Sequence, residues 1–97
     1  MDISDSVMEL YSNTLDRVSV ILQSKINEID HPLYTFGECG ILIEINIKDF
    51  GCYEYQINYP KFEMLLVEER SPVLRLADSI IRDLRNKIDE KYFNQFW

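Results

Sequence analysis

The feature that most constrains the fold is a strict alternation of residue types in the middle of the chain. Isoleucine occupies every second position of residues 41–47, and tyrosine or isoleucine occupies every second position of residues 53–59. A period of two places alternate side chains on opposite faces of a β-strand. The intervening Asp49-Phe50-Gly51 predicts a three-residue loop in which Gly51 adopts a left-handed conformation. The sequence therefore predicts an antiparallel hairpin with one buried face. The predicted pairs on that face are Ile47–Tyr53, Ile45–Tyr55, Ile43–Ile57 and Ile41–Tyr59.

Two long helices are predicted to flank the hairpin. Apolar residues recur at helical spacing from Val7 to Ile29, which predicts a first helix over residues 3–30. A last helix is predicted to begin at Ser71 and Pro72 and to extend to about Tyr92. Residues 60–69 fit a short helix slightly better than a third strand, and both alternatives stay open. The predicted fold class is α+β: an antiparallel β-hairpin, or three strands, packed by N- and C-terminal helices in the order α-β-β-(α or β)-α.

Length and composition indicate one folded domain spanning residues 1–97. The chain has 97 residues, of which 46% are hydrophobic, and this is enough for one modest core. Two strands of about eight residues are too short to cover two helices of the predicted lengths. The apolar ends, including Phe93, Phe96 and Trp97, therefore need to be covered. Packing of the two helices on each other would cover them in part, and a homodimer or a partner protein would cover the rest.

The charges are distributed unevenly along the chain. Residues 1–69 hold 13 of the 17 acids and 4 of the 10 bases, whereas residues 70–97 hold 4 acids and 6 bases. The net charge of −7 argues against direct binding to nucleic acid, because phosphate contacts need Lys and Arg. It suits a protein partner with a basic surface, although acidity also keeps small proteins soluble. The predicted partner-binding set is Glu44, Asp49, Glu54, Glu63, Glu68 and Glu69.

The residues that usually carry catalysis are few and poorly spaced. His31 is the only histidine, and with Cys39 and Cys52 it matches no zinc-binding spacing. We therefore expect no catalytic residue, no cofactor and no metal. We also expect no membrane span, since no apolar run approaches the roughly 18 residues it needs, and no signal peptide, which together favour the cytoplasm. The tyrosines at 53, 55 and 59 share a face with the isoleucines, which favours core packing over a base-stacking platform.

These observations favour a small acidic, non-enzymatic protein-binding module. A hairpin lined with carboxylates can imitate the phosphates of nucleic acid and block a basic, nucleic-acid-binding surface of a host protein. In architecture, size and acidity the chain resembles small inhibitors encoded by phages or mobile elements, including certain anti-CRISPR proteins, and such a viral protein would act in the host cytoplasm. No motif residue carries that resemblance. The alternative is a structural or adaptor subunit, an immunity protein or a chaperone, binding through its apolar helix ends.

Overall fold

The computed structural model describes residues 5–88 and 92–93 and confirms the α+β fold class. Within these residues, three helices and three strands follow one another in the order α1, β1, β2, β3, α2 and α3. Their bounds are α1 Asp5–Lys25, β1 Leu33–Phe36, β2 Gly40–Ile47, β3 Gly51–Asn58, α2 Tyr59–Glu68 and α3 Pro72–Arg85.

The strands form one antiparallel sheet in the order β1-β2-β3. The hairpin of β2 and β3 is confirmed, and its isoleucines at 41, 43, 45 and 47 are buried as predicted. The third strand, β1, precedes the hairpin and was not predicted. Tyr34 and Phe36 of β1 are half-buried, whereas Leu33 and Thr35 are exposed, so this short strand follows the same alternation.

The predicted hairpin register is wrong by two residues. Ile45 pairs with Tyr53, and Ile47 pairs with Gly51. The turn is tighter than predicted, because Phe50 N–H donates to the Ile47 carbonyl at 3.1 Å and Asp49 itself adopts φ 65°. A shift of two residues keeps every side chain on its predicted face, which is why the buried set is nevertheless right.

The first helix is shorter than predicted, because the backbone after Lys25 pairs with distant segments. Ile26 forms a β-bridge with Phe93, and Ile29 forms one with Ile47. Between them, Glu28 has φ 52°, in the left-handed region that ends a helix. The predicted extension to Asp30 is therefore wrong.

The last helix begins as predicted and also ends early. Ser71 is its N-cap residue and Pro72 lies in its first turn. The helix ends at Arg85, and the chain turns so that Phe93 enters the core, where the Arg85 guanidinium lies 4.8 Å from its ring centre. The predicted extension to Tyr92 is therefore wrong.

Residues 60–69, for which both a helix and a strand were considered, lie largely in helix α2. Asn58 caps α2, and its side-chain oxygen accepts from the Lys61 N–H at 2.8 Å. Pro60 is compatible with the first turn of α2, because backbone N–H groups in that turn have no acceptor within the helix and proline lacks this group. The buried Tyr59 and Phe62 attach this helix to the core.

One apolar core joins the helices to the inner face of the sheet. Helix α1 packs against α3, and both contribute a stripe of buried side chains. The buried residues of α1 include Tyr11, Leu15, Val18 and Leu22, and those of α3 include Leu76, Ala77, Ile80, Ile81 and Leu84.

Candidate partner-binding surfaces

The outward-facing side of the sheet is a polar and acidic surface, which we call the open sheet face. None of its residues is buried, and no Lys or Arg points outward from the three described strands. The open sheet face consists of Leu33 and Thr35 of β1, Leu42, Glu44 and Asn46 of β2, and Cys52, Glu54, Gln56 and Asn58 of β3.

Glu44 and Glu54 are direct cross-strand partners on the open sheet face. Leu33 lies on the other side of Glu44, so the row across the sheet offers neither carboxylate a cation. Side chains at directly opposite positions have Cβ atoms roughly 5 Å apart, and like charges there destabilise the sheet. The hairpin therefore holds two carboxylates side by side against their mutual repulsion.

Asp49 lies at the tip of the hairpin, away from this pair. Five residues separate it from each of the two glutamates along the strands, which corresponds to on the order of 16 Å. The neighbouring Lys48 forms an exposed ion pair with Glu28 at 3.8 Å, and among the described residues Asp49 at the tip forms no ion pair.

The acidic residues of α2 and its C-cap residue Glu69 do not belong to the open sheet face. Glu63 accepts a hydrogen bond from the Tyr11 hydroxyl at 2.8 Å, and Glu69 pairs with Arg75 at 3.9 Å. Glu68 is exposed at the end of the helix. Tyr11 belongs to α1 and Arg75 to α3, so Glu63 and Glu69 lie beside the helices and not on the open sheet face. The predicted acidic set therefore divides into two separate groups.

The tyrosines of the hairpin face inward, as predicted. Tyr53 is buried, and its hydroxyl donates to Asp83 of α3, which also pairs with Lys87 at 3.3 Å. Burial and the hydrogen bond to Asp83 raise the pKa of Tyr53, and the same hydrogen bond lowers the pKa of the Asp83 carboxyl. Tyr34 of β1 similarly donates to the Leu15 carbonyl of α1 at 2.9 Å. These hydroxyls attach the sheet to its helices.

The predicted apolar contact residues fall in different places. Phe93 is only 4% exposed and belongs to the core, so in this conformation it presents no surface to a partner. Phe96 and Trp97 lie outside the described residues.

An apolar groove on the helical side was not predicted from the sequence. Helix α1 forms one wall, and Leu66 of α2, residues 70–71 and the first turn of α3 form the other. Its volume is about 680 Å³. The only sequence signal was a set of apolar residues outside the core stripe of α1, namely Leu10, Val20 and Ile21.

The residues considered as catalytic groups or metal ligands lie apart from one another. His31 is exposed, and its Nδ1 lies 2.9 Å from the Pro32 carbonyl oxygen. Cys39, in the turn between β1 and β2, and Cys52, in β3, are free and exposed thiols. Within residues 5–88 and 92–93, no three His, Cys, Asp or Glu side chains are grouped so that they could hold a metal ion. In the same part of the chain, no helix combines the length and the apolar character needed to cross a membrane.

Comparison with known proteins gave no match: no protein-family model, no curated protein and no solved structure is significantly similar to this chain.

Proposed function

We propose that this protein is a non-enzymatic binding module that docks its open sheet face onto a basic surface of a partner protein. The observation that carries this proposal is the direct pairing of Glu44 with Glu54 on a sheet face that offers them no cation. A partner lysine or arginine placed between the two carboxylates would replace repulsion by two attractive interactions. The isolated fold would then carry a small destabilisation that the complex removes.

The charge of the whole chain supports the same proposal. A net charge of −7 attracts a basic protein over distances longer than any direct contact and accelerates their encounter. Contacts between exposed charges mainly set the association rate and its dependence on salt. We therefore expect fast, salt-sensitive association with a partner that carries clustered Lys and Arg.

The partner class that we favour is a nucleic-acid-binding protein. Surfaces that bind nucleic acid present Lys and Arg to closely spaced phosphates. Adjacent carboxylates on the open sheet face offer such a surface a comparable set of anions, with Asp49 as a third charge at the hairpin tip. Competition with nucleic acid would make the protein an inhibitor, the role of a phage or mobile-element protein acting in the host cytoplasm.

A capture experiment with two matched variants tests the proposal. The first variant carries Glu44→Gln, Asp49→Asn and Glu54→Gln. The control variant carries Glu9→Gln, Glu38→Gln and Asp78→Asn, three exposed acids elsewhere, so the two variants have equal net charge. Each protein is immobilised, exposed to nuclease-treated lysate of the source cell and eluted along a salt gradient.

We expect a basic protein that is retained by the wild type and by the control variant, released by moderate salt and lost from the first variant. Equal retention by the two variants would show that only net charge matters and would exclude the open sheet face as the specific site. A partner that stays bound at high salt would also contradict the proposal.

A further inference from the structure

The groove between the helices exposes apolar side chains that the core does not use. Leu10 is 53% exposed and Val20 is 66% exposed, both on the α1 wall. Leu74, in the first turn of α3, is 53% exposed on the opposite wall. Leu66 and Val73 continue the apolar lining between them. Contiguous exposed apolar surface of this kind marks an interaction site more often than isolated exposed residues do.

The charge of the groove is opposite to that of the chain. Its lining contains Arg17 on the α1 wall and Arg70 on the opposite wall, and no acidic residue. This contrasts with the whole sequence, in which 17 acids outnumber 10 bases. The groove is therefore a basic and apolar surface on an acidic protein.

The acids next to these two arginines in sequence have other partners. Asp16 accepts a hydrogen bond from the Tyr34 hydroxyl at 3.3 Å, and Glu69 pairs with Arg75 at 3.9 Å. Within the described part of the chain, neither Arg17 nor Arg70 forms an ion pair. Both guanidinium groups are thus free to bind carboxylates, which they do with strong, charge-assisted hydrogen bonds.

We propose that this groove binds an amphipathic helix of a partner protein, with leucine-like residues on one face and a carboxylate on each side of that face. From Leu10 to Val20 the α1 wall spans roughly 15 Å, the length of about three helical turns. The groove is open to solvent, so a helix can enter it sideways, as amphipathic helices enter grooves in other proteins. Arg17 and Arg70, on opposite walls, would pair with the flanking carboxylates and fix the orientation of the helix.

The test is a displayed library of helical peptides of roughly 14 residues. Apolar residues are fixed at the i, i+3, i+4, i+7 spacing and all other positions are random. The library is selected on the wild type. Binding of the selected peptides is then measured to an Arg17→Glu/Arg70→Glu variant and to a Lys61→Glu/Arg82→Glu control, which changes charge equally outside the groove. Thermal melts confirm that all three proteins are folded.

We expect selected peptides to be enriched in Asp and Glu beside the apolar face. Their affinity should fall about tenfold or more in the groove variant and much less in the control. NMR shifts on peptide addition should concentrate at Leu10, Val20 and Leu74. The proposal fails if the peptides show no acidic enrichment, or if both variants lose affinity equally.

Two further measurements distinguish other occupants of the groove. Dodecanoate shifting the groove resonances while no peptide does so would identify a site for a small anionic amphiphile and overturn the proposal. Concentration-dependent self-association that Leu74→Asp abolishes would identify a second copy of the chain as the occupant and would overturn it as well. Neither outcome affects the open sheet face, so the two proposals fail independently.

Discussion

Replacing Glu54 by Gln should stabilise the fold while weakening its interaction with a basic partner. The substitution keeps the size of the side chain and removes one of two like charges at directly opposite positions of β2 and β3. Two carboxylates roughly 6 Å apart repel by about 0.7 kcal/mol at the dielectric constant of water, and physiological salt reduces this by about half. Since Glu44 is half-buried, screening is incomplete, and we expect a gain of about 0.3–0.8 kcal/mol.

Thermal and urea unfolding would measure this gain. For a chain of this size it corresponds to an increase in melting temperature of roughly 2–5 °C. Glu44→Gln should stabilise equally, and the double variant should gain little beyond either single variant, because either change already removes the repulsion. Glu38→Gln, in the exposed turn between β1 and β2, is the matched control and should change stability little.

The salt dependence of the stability gain distinguishes repulsion between the two carboxylates from other causes of the gain. In 1 M NaCl, where charges are screened over about 3 Å, the gain of Glu54→Gln should disappear. A gain that persists in high salt, or a loss of stability at low salt, would refute the assignment of Glu44 and Glu54 as a repelling pair. A substitution that increases stability and abolishes partner binding would show directly that the pair is maintained for binding.

Three further predictions concern the core and its tyrosines. Gly40→Ala should destabilise by about 2–3 kcal/mol in urea unfolding, because its Cβ would overlap the Ile57 carbonyl oxygen of β3 and lie 2.7 Å from the Asn58 Cα. Gly37→Ala, whose Cβ would have its nearest atom at 3.5 Å, should stay within about 0.5 kcal/mol of wild type. Tyr53→Phe should cost about 1–2 kcal/mol in the same assay, since it removes the hydrogen bond to Asp83. Burial and a hydrogen bond to a carboxylate raise the pKa of Tyr11 to about 12, so its contribution, on the order of 2 kcal/mol, should be complete below pH 10 and lost as the pH rises from 10 to 12.

Each of these three predictions would be contradicted by a specific result. Equal stability of the two glycine variants would show that the strands separate at little cost. A Tyr53→Phe protein as stable as the wild type would show that water replaces the lost hydrogen bond. A Tyr11→Phe variant that loses as much stability as the wild type between pH 10 and 12 would assign the alkaline transition to other groups.

The sequence alone determined which faces of the hairpin and helices are buried. The alternation in residues 41–47 and 53–59 and the helical spacing in α1 and α3 are local patterns. Each pattern places the apolar side chains of its element on one face, whichever element packs against that face. The start of α3 likewise followed from a local signal, the N-cap residue Ser71 followed by Pro72. The outward positions of Glu44 and Glu54 followed from the same alternation.

The tertiary structure alone decided the register, the helix ends and the groove. A shift of two residues preserves the alternation, so only the turn at Asp49 set the Glu44–Glu54 pairing. The apolar residues Ile26 and Ile29 fit a helix by spacing, but they form bridges to segments far along the chain. The groove unites Arg17 of α1 with Arg70 after α2, residues that only the packing of the helices brings to one surface. The helix ends and the groove depend on contacts between distant segments, which no local pattern records, and the register depends on a turn conformation that the alternation does not specify.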